Sequence, residues 1–199
     1  MSEQTINEEL ARANDALQAQ GCDAALLSSL ANVTYVSGYE VPLPLGAGAE
    51  FAYGIPLALV GRAAPDGALI VSDGNAGAAK KQSRLGSLLS FDSFSHLTAF
   101  DSQASFLARI REVLTQAGLA NSSATLAVEF RSMPYIIAEL LANEFPKLKL
   151  VDAAPALNKA RSIKTAREIA LLRRASAIAD IGHNTLAELS REPGKNEFE

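Results

Sequence analysis

Between Thr165 and Ser190 the sequence holds no proline and a single glycine, Gly182. A stretch of that length without a breaker, opened by Thr165 and Glu168 at capping-box spacing, predicts one continuous helix. At 1.5 Å per residue, about 26 residues make a rod of about 39 Å. That is longer than one face of a domain this size needs. Ile169, Leu172, Ala179, Leu186 and Leu189 fall roughly on one side, while Ile178 and Ile181 lie off that stripe. A helix with more apolar surface than its own domain covers packs on something else. One reading assigns its later half to a partner domain. The plainer reading is a C-terminal helix lying across a sheet, and periodicity alone leaves both open.

Upstream, helical and strand-like segments alternate. Ile6, Leu10, Ala13 and Leu17 share one face of a helix from about Thr5 to Gln20, with Thr5 and Glu8 as a capping box and Gly21 as its stop. Ala24 to Ser28 reads as a short buried strand, and Asn32 to Tyr35 lead into a helical turn broken at Ser37-Gly38. Residues 40–54, rich in Gly, Pro and Ala, form a long loop of the kind that often carries function. Leu57–Val60 and Ala68–Val71 read as a hairpin turned by Pro65, Asp66 and Gly67. A short helix at Asn75–Lys81, a strand at Ser87–Phe91 and an amphipathic helix from Asp101 to Ala117 follow, the last with Leu107, Ile110, Leu114 and Ala117 as its stripe. Thr125–Glu129 is a strand, Ser132 an N-cap for a helix to about Glu144, and Leu148–Val151 the last strand. Strands alternating with helices after residue 100 argue for parallel pairing, and the hairpin makes the sheet mixed. The expected class is therefore α/β, a mixed β-sheet flanked by helices with a long C-terminal linker helix.

Composition removes several functions. The net charge is −4 and no dense Lys/Arg run occurs, so nucleic acid and anionic membrane surfaces are poor partners. The most apolar run, Ile55–Val60, has six residues and contains Pro56; spanning a bilayer takes about 20. The polar, acidic start MSEQTINEEL lacks the pattern of a signal peptide. With one cysteine, Cys22, neither an intramolecular disulfide nor a Cys-based zinc site can form. The expectation is a cytoplasmic protein.

Residues fit for chemistry are few. His96 and His183 are far apart in sequence, and no His-Glu-x-x-His spacing accompanies either. Cys22 has no evident base beside it and reads as a small core residue. Gly46-x-Gly48 is a fragment of a phosphate loop without its third glycine or a following Lys-Ser/Thr. Glu129, Asp152 and Asp73 sit near strand ends, where acids can be catalytic but more often serve turns and caps. The loop offers Tyr39, Glu50, Phe51 and Tyr53 as contacts for a substrate or a partner subunit; the alternative is that its aromatics only pin it to the core.

Two segments resemble one family. DAALLSSLANVTYVSGY, Asp23 to Tyr39, is similar to the opening of creatinase, prolidase and Xaa-Pro aminopeptidase proteins, where a short strand precedes an Asn-x-x-Tyr-x-Ser-Gly stretch; here those residues are Asn32, Tyr35, Ser37 and Gly38. RSIKTAREIALLRRASAIADIGHN, Arg161 to Asn184, resembles the segment that leads into their catalytic domain, with Ile163, Lys164, Glu168, Ile169 and Arg173 in place. The end, GKNEFE, is similar to the Gly-x-x-Glu step after the first catalytic-domain helix. The middle of the chain agrees only in its strand-helix rhythm.

The resemblance implies an N-terminal domain of ribonuclease H-like shape over residues 1–160, then residues 161–199 as linker and start of a pita-bread catalytic domain. About the first half of the long helix would then serve the N-terminal domain. Full-length members are usually hydrolases, and many cleave the bond before proline with two divalent metals, Mn, Co or Zn, that activate a water. Their ligands, two Asp, one His and two Glu, belong to the catalytic domain, so no metal or catalytic residue carries over to this chain. The implied role is non-catalytic: dimerisation, and shaping access to the active site of a longer enzyme through contact with its own catalytic domain. Creatinase-like members place an arginine in the loop corresponding to 45–54, but this sequence has none between Asn14 and Gly61. The alternatives are a domain of a non-peptidase C–N hydrolase of the same family, or a metal-free protein-binding module.

Overall fold

The structure, a computed structural model, describes residues 7–42, 54–94, 99–191 and 194. The chain divides into two compact units, Met1–Arg161 and Ser162–Glu199.

The first unit runs α1 (Glu8–Ala19), β1 (Ala24–Leu27), α2 (Leu30–Ser37), β2 (Leu57–Gly61), β3 (Ala64–Ser72), a 3-10 turn, α3 (Ala76–Gln82), β4 (Ser87–Phe91), α4 (Ser102–Gln116), β5 (Thr125–Val128), α5 (Tyr135–Glu144), β6 (Lys149–Asp152) and α6 (Ala154–Ser162). The six strands form one sheet in the order β4-β3-β2-β1-β5-β6. β1 pairs antiparallel with β2 and parallel with β5, so the sheet is mixed, as its alternating elements predict.

Helices cover both faces, which is why the central strands are apolar throughout rather than alternating. Ala25 and Leu27 of β1 join one core with Leu10, Leu17, Val33, Val36 and Leu157 from α1, α2 and α6. Ala24 and Leu26 point to the other core, with Phe106, Ile110, Leu114, Ile137 and Leu141 from α4 and α5.

Several local readings change. Thr5 lies outside the described residues, and the cap of α1 is Asn7, whose side chain accepts from the Leu10 N–H at 3.2 Å. Ser132 does not cap α5; the position before that helix is Pro134, and the Ser132 hydroxyl meets Ser28 Oγ at 2.8 Å instead. α6 is a helix that the sequence pattern does not announce.

The hairpin turn is also displaced. Gly61 pairs with Ala64 and Leu59 with Ala68, so Arg62 and Ala63 make the turn and Pro65, Asp66 and Gly67 bulge from β3 opposite Val60. The early turn depends on Gly61, at φ +117°, where a Cβ would stand 2.7 Å from Ala24 Cα in the neighbouring strand. Gly61→Ala is therefore expected to destabilise the domain by about 2–3 kcal/mol, from backbone strain plus a clash with no flexible atom to yield. Gly118→Ala is the control: its φ is +70° but nothing lies within 4 Å of the added Cβ, so about 1 kcal/mol is expected. Urea denaturation of both variants measures the difference.

The second unit contains α7 (Ala166–Leu189). The predicted capping box is present: Thr165 Oγ1 accepts from the Glu168 N–H at 3.1 Å and Glu168 Oε2 from the Thr165 N–H at 2.8 Å. None of the helix's residues is buried.

Candidate functional site

In open α/β sheets ligands gather where adjacent parallel strands send their chains to opposite faces. β1 and β5 are such a pair. After β1 the chain enters α2, which packs into the first core; after β5 it enters α5, which packs into the second. The ends of these two strands are followed by Ser28-Ser29 and by Glu129.

Glu129 is 7% exposed and its carboxylate is fully engaged. Oε2 accepts from the backbone N–H groups of Ser28 at 2.6 Å and Ser29 at 2.8 Å. Oε1 accepts from Ser29 Oγ at 2.6 Å and Asn32 Nδ2 at 2.7 Å. A carboxylate has about four lone-pair sites, and four donors of the chain itself meet them. The charge also lies at the N-terminus of α2, where the helix dipole favours it. Asn32 in turn accepts from Arg161 Nη1 at 2.9 Å. The crevice is thus occupied by a polar network that binds β1, β5, α2 and α6 together. Its chemistry is that of a structural acceptor; a general base would need a free lone pair for substrate.

Of the sequence-predicted contacts, Tyr39 alone lies among the described residues. Tyr39 is completely buried in the first core, and burial pushes its phenol pKa up. Its hydroxyl has no hydrogen-bond partner among the described residues. Glu50, Phe51 and Tyr53 lie outside the described residues, as do Gly46, Gly48 and His96. Cys22 is buried, and its thiol pKa is raised first by desolvation and then by the Asp23 charge, which suits a core residue rather than a nucleophile. His183 is exposed on α7, its Nδ1 2.8 Å from the Ala179 carbonyl oxygen. Asp73 accepts from Ser93 N and Oγ, and Asp152 from the Ala154 N–H, so both act as turn and cap residues. Among the described residues no three His, Cys, Asp or Glu gather in a way that could hold a metal ion.

Sequence patterns single out Glu129 as a strand-end acid but miss Arg161 and Ser28 as its associates. The missing signal is α6: without a helix at 154–162, nothing brings Arg161 back to the sheet.

The sequence profile of the creatinase/prolidase N-terminal domain matches residues 9–163. The chain belongs to this family. Its solved relatives agree in fold. Prolidase from Pyrococcus horikoshii OT3 superimposes with a TM-score of 0.59 at 22% identity, over 91% of this chain and 42% of that one. The N-terminal domain of cytoplasmic peptidase PepQ from Mycobacterium tuberculosis H37Rv gives 0.51 at 19% identity, over 78% and 98%. A Creatine_N superfamily domain of a dipeptidase from Streptococcus thermophilus gives 0.54 at 16%, over 77% and 98%. No curated protein sequence matches significantly. The chain spans less than half the length of the horikoshii prolidase.

Within this creatinase/prolidase N-terminal domain the Asn-x-x-Tyr-x-Ser-Gly residues all lie on α2 or at its end. Ser37 is fully buried; its Oγ donates to the Val33 carbonyl at 2.6 Å and accepts from the Tyr39 N–H at 3.0 Å. Gly38 admits Arg84, whose side chain fills the place a Cβ would take and pairs with buried Glu9 at 2.7 Å. No helix of the described residues is long and apolar enough to cross a membrane.

Proposed function

We propose that the chain is the non-catalytic N-terminal domain of an Xaa-Pro dipeptidase- or aminopeptidase-like metallohydrolase, contributing to dimerisation and to the walls of the substrate entrance. The observation that carries the reading is the family match over residues 9–163, in a chain that spans 42% of a prolidase. On this reading the two divalent ions of such an enzyme belong to its catalytic domain, and no metal ligand is assigned to this one. A cytoplasmic location belongs to the same reading; the matched PepQ is described as cytoplasmic.

The test is an assay of the purified chain on Xaa-Pro dipeptides with Mn(II), Co(II) or Zn(II) added. The expected result is no turnover above the metal-only blank. Sustained turnover that depends on the chain would overturn the non-catalytic assignment. Sedimentation equilibrium addresses dimerisation separately, and a monomer at all concentrations would remove that part of the proposal for the isolated chain.

A further inference from the structure

Asn32 and Tyr35 lie three residues apart on α2 and therefore on one face. Both reach the last turn of α6. Asn32 Oδ1 accepts from Arg161 Nη1 at 2.9 Å. The Arg161 guanidinium carbon stands 5.9 Å from the centre of the Tyr35 ring, within cation–π range. The Tyr35 hydroxyl donates a long hydrogen bond, 3.4 Å, to the Ala160 carbonyl. That carbonyl belongs to the end of a helix, where acceptors lack intrahelical donors. A cation at the same end is favoured by the helix dipole.

Asn32 cannot turn freely. Its Nδ2 donates to Glu129 Oε1 at 2.7 Å. A carboxylate only accepts and a guanidinium only donates, so an amide placed between them has a single workable orientation. Glu129 and Arg161 are opposite charges joined through a neutral amide rather than in direct contact.

We infer that Asn32 and Tyr35 form a clamp on the last turn of α6, set by Glu129 through the orientation of the Asn32 amide. The clamp anchors the end of the first unit, which closes at Arg161. The Asn-x-x-Tyr spacing then has a physical reason. Asn32 holds the guanidinium edge, and Tyr35 holds its face and the adjoining carbonyl. Asn32 is here a positioning residue, since it acts through Arg161.

Hydrogen exchange measured by mass spectrometry on the full 199-residue chain tests this. Local opening of α6 and global unfolding are separable, because amides in the sheet report only the larger openings. Asn32→Ala is expected to speed exchange of amides 158–162 about tenfold more than that of the β2 and β3 amides. Arg161→Ala, at a half-exposed position, is expected to give the same local increase and serves if Asn32→Ala does not fold. The double variant should exchange more slowly than the sum of the two single effects, because the Asn32–Arg161 hydrogen bond is lost in both. Tyr35→Phe, which keeps the ring, should give a smaller local increase. Unchanged exchange at 158–162, an increase equal to that in β2 and β3, or additive effects in the double variant would each overturn the clamp.

Discussion

Glu129→Ala is expected to destabilise the first unit by about 3–5 kcal/mol, enough to remove much of the stability of an ordinary domain. Four donors lose their acceptor at once: the Ser28 and Ser29 N–H groups, the Ser29 hydroxyl and the Asn32 amide. A buried donor left unpaired costs about 1–3 kcal/mol, and water entering the space vacated by the carboxylate can recover only part of the sum. Glu129→Gln isolates the geometry. It keeps one oxygen but turns an NH2 group toward donors, so about 2–3 kcal/mol should be lost. Urea denaturation at neutral pH, with the slope unchanged, is the measurement. A loss below about 1 kcal/mol for the alanine variant would mean that the network contributes little to folding. It would then reopen a functional role for the carboxylate, because a costly buried charge that does not stabilise the fold needs another reason to be there.

Much of the fold is legible in the sequence because local and long-range preferences agree over most of the chain. Leu10, Ala13 and Leu17 recur at helical spacing and are all buried. Thr165 and Glu168 announce a cap, and the structure forms it. The misreadings arise where a local signal is ambiguous. Pro65-Asp66-Gly67 has the chemistry of a turn and equally that of a bulge; Gly61 decides between them, and its close approach to Ala24 is invisible in sequence. Ser132 precedes a proline and looks like a cap, but the hydroxyl is drawn to Ser28 across the gap between two strand ends. α6 escapes notice because it is short and carries Pro155 in its first turn, where proline is tolerated though it reads as a breaker. The polar network is the least legible feature. Asn32 is 97 residues from Glu129 and 129 from Arg161, and only the pairing of β1 with β5 and the return of α6 bring the three together.

In the isolated chain, amides of α7 are expected to exchange with protection below about tenfold, while those of β1, β2 and β5 should be slower by several orders of magnitude. The helix has 24 residues and buries none of them. Its capping box helps nucleation, yet a helix without a packed face is marginal in water. Ile178, Ile181 and Leu186 are 61%, 67% and 68% exposed. Burying such side chains contributes about 1.5–3 kcal/mol each, so a partner that covered them would stabilise the helix strongly. On the proposed function that partner is the catalytic domain, and a longer polypeptide carrying it should protect the amides around Ile178–Leu189 without altering those of the sheet. A second copy of this chain makes a different demand: protection that rises with protein concentration and disappears when Ile178 and Ile181 are replaced by serine. High protection of α7 in the dilute isolated chain, independent of concentration, would contradict both, because neither the catalytic domain nor a second copy would then be needed to hold the helix.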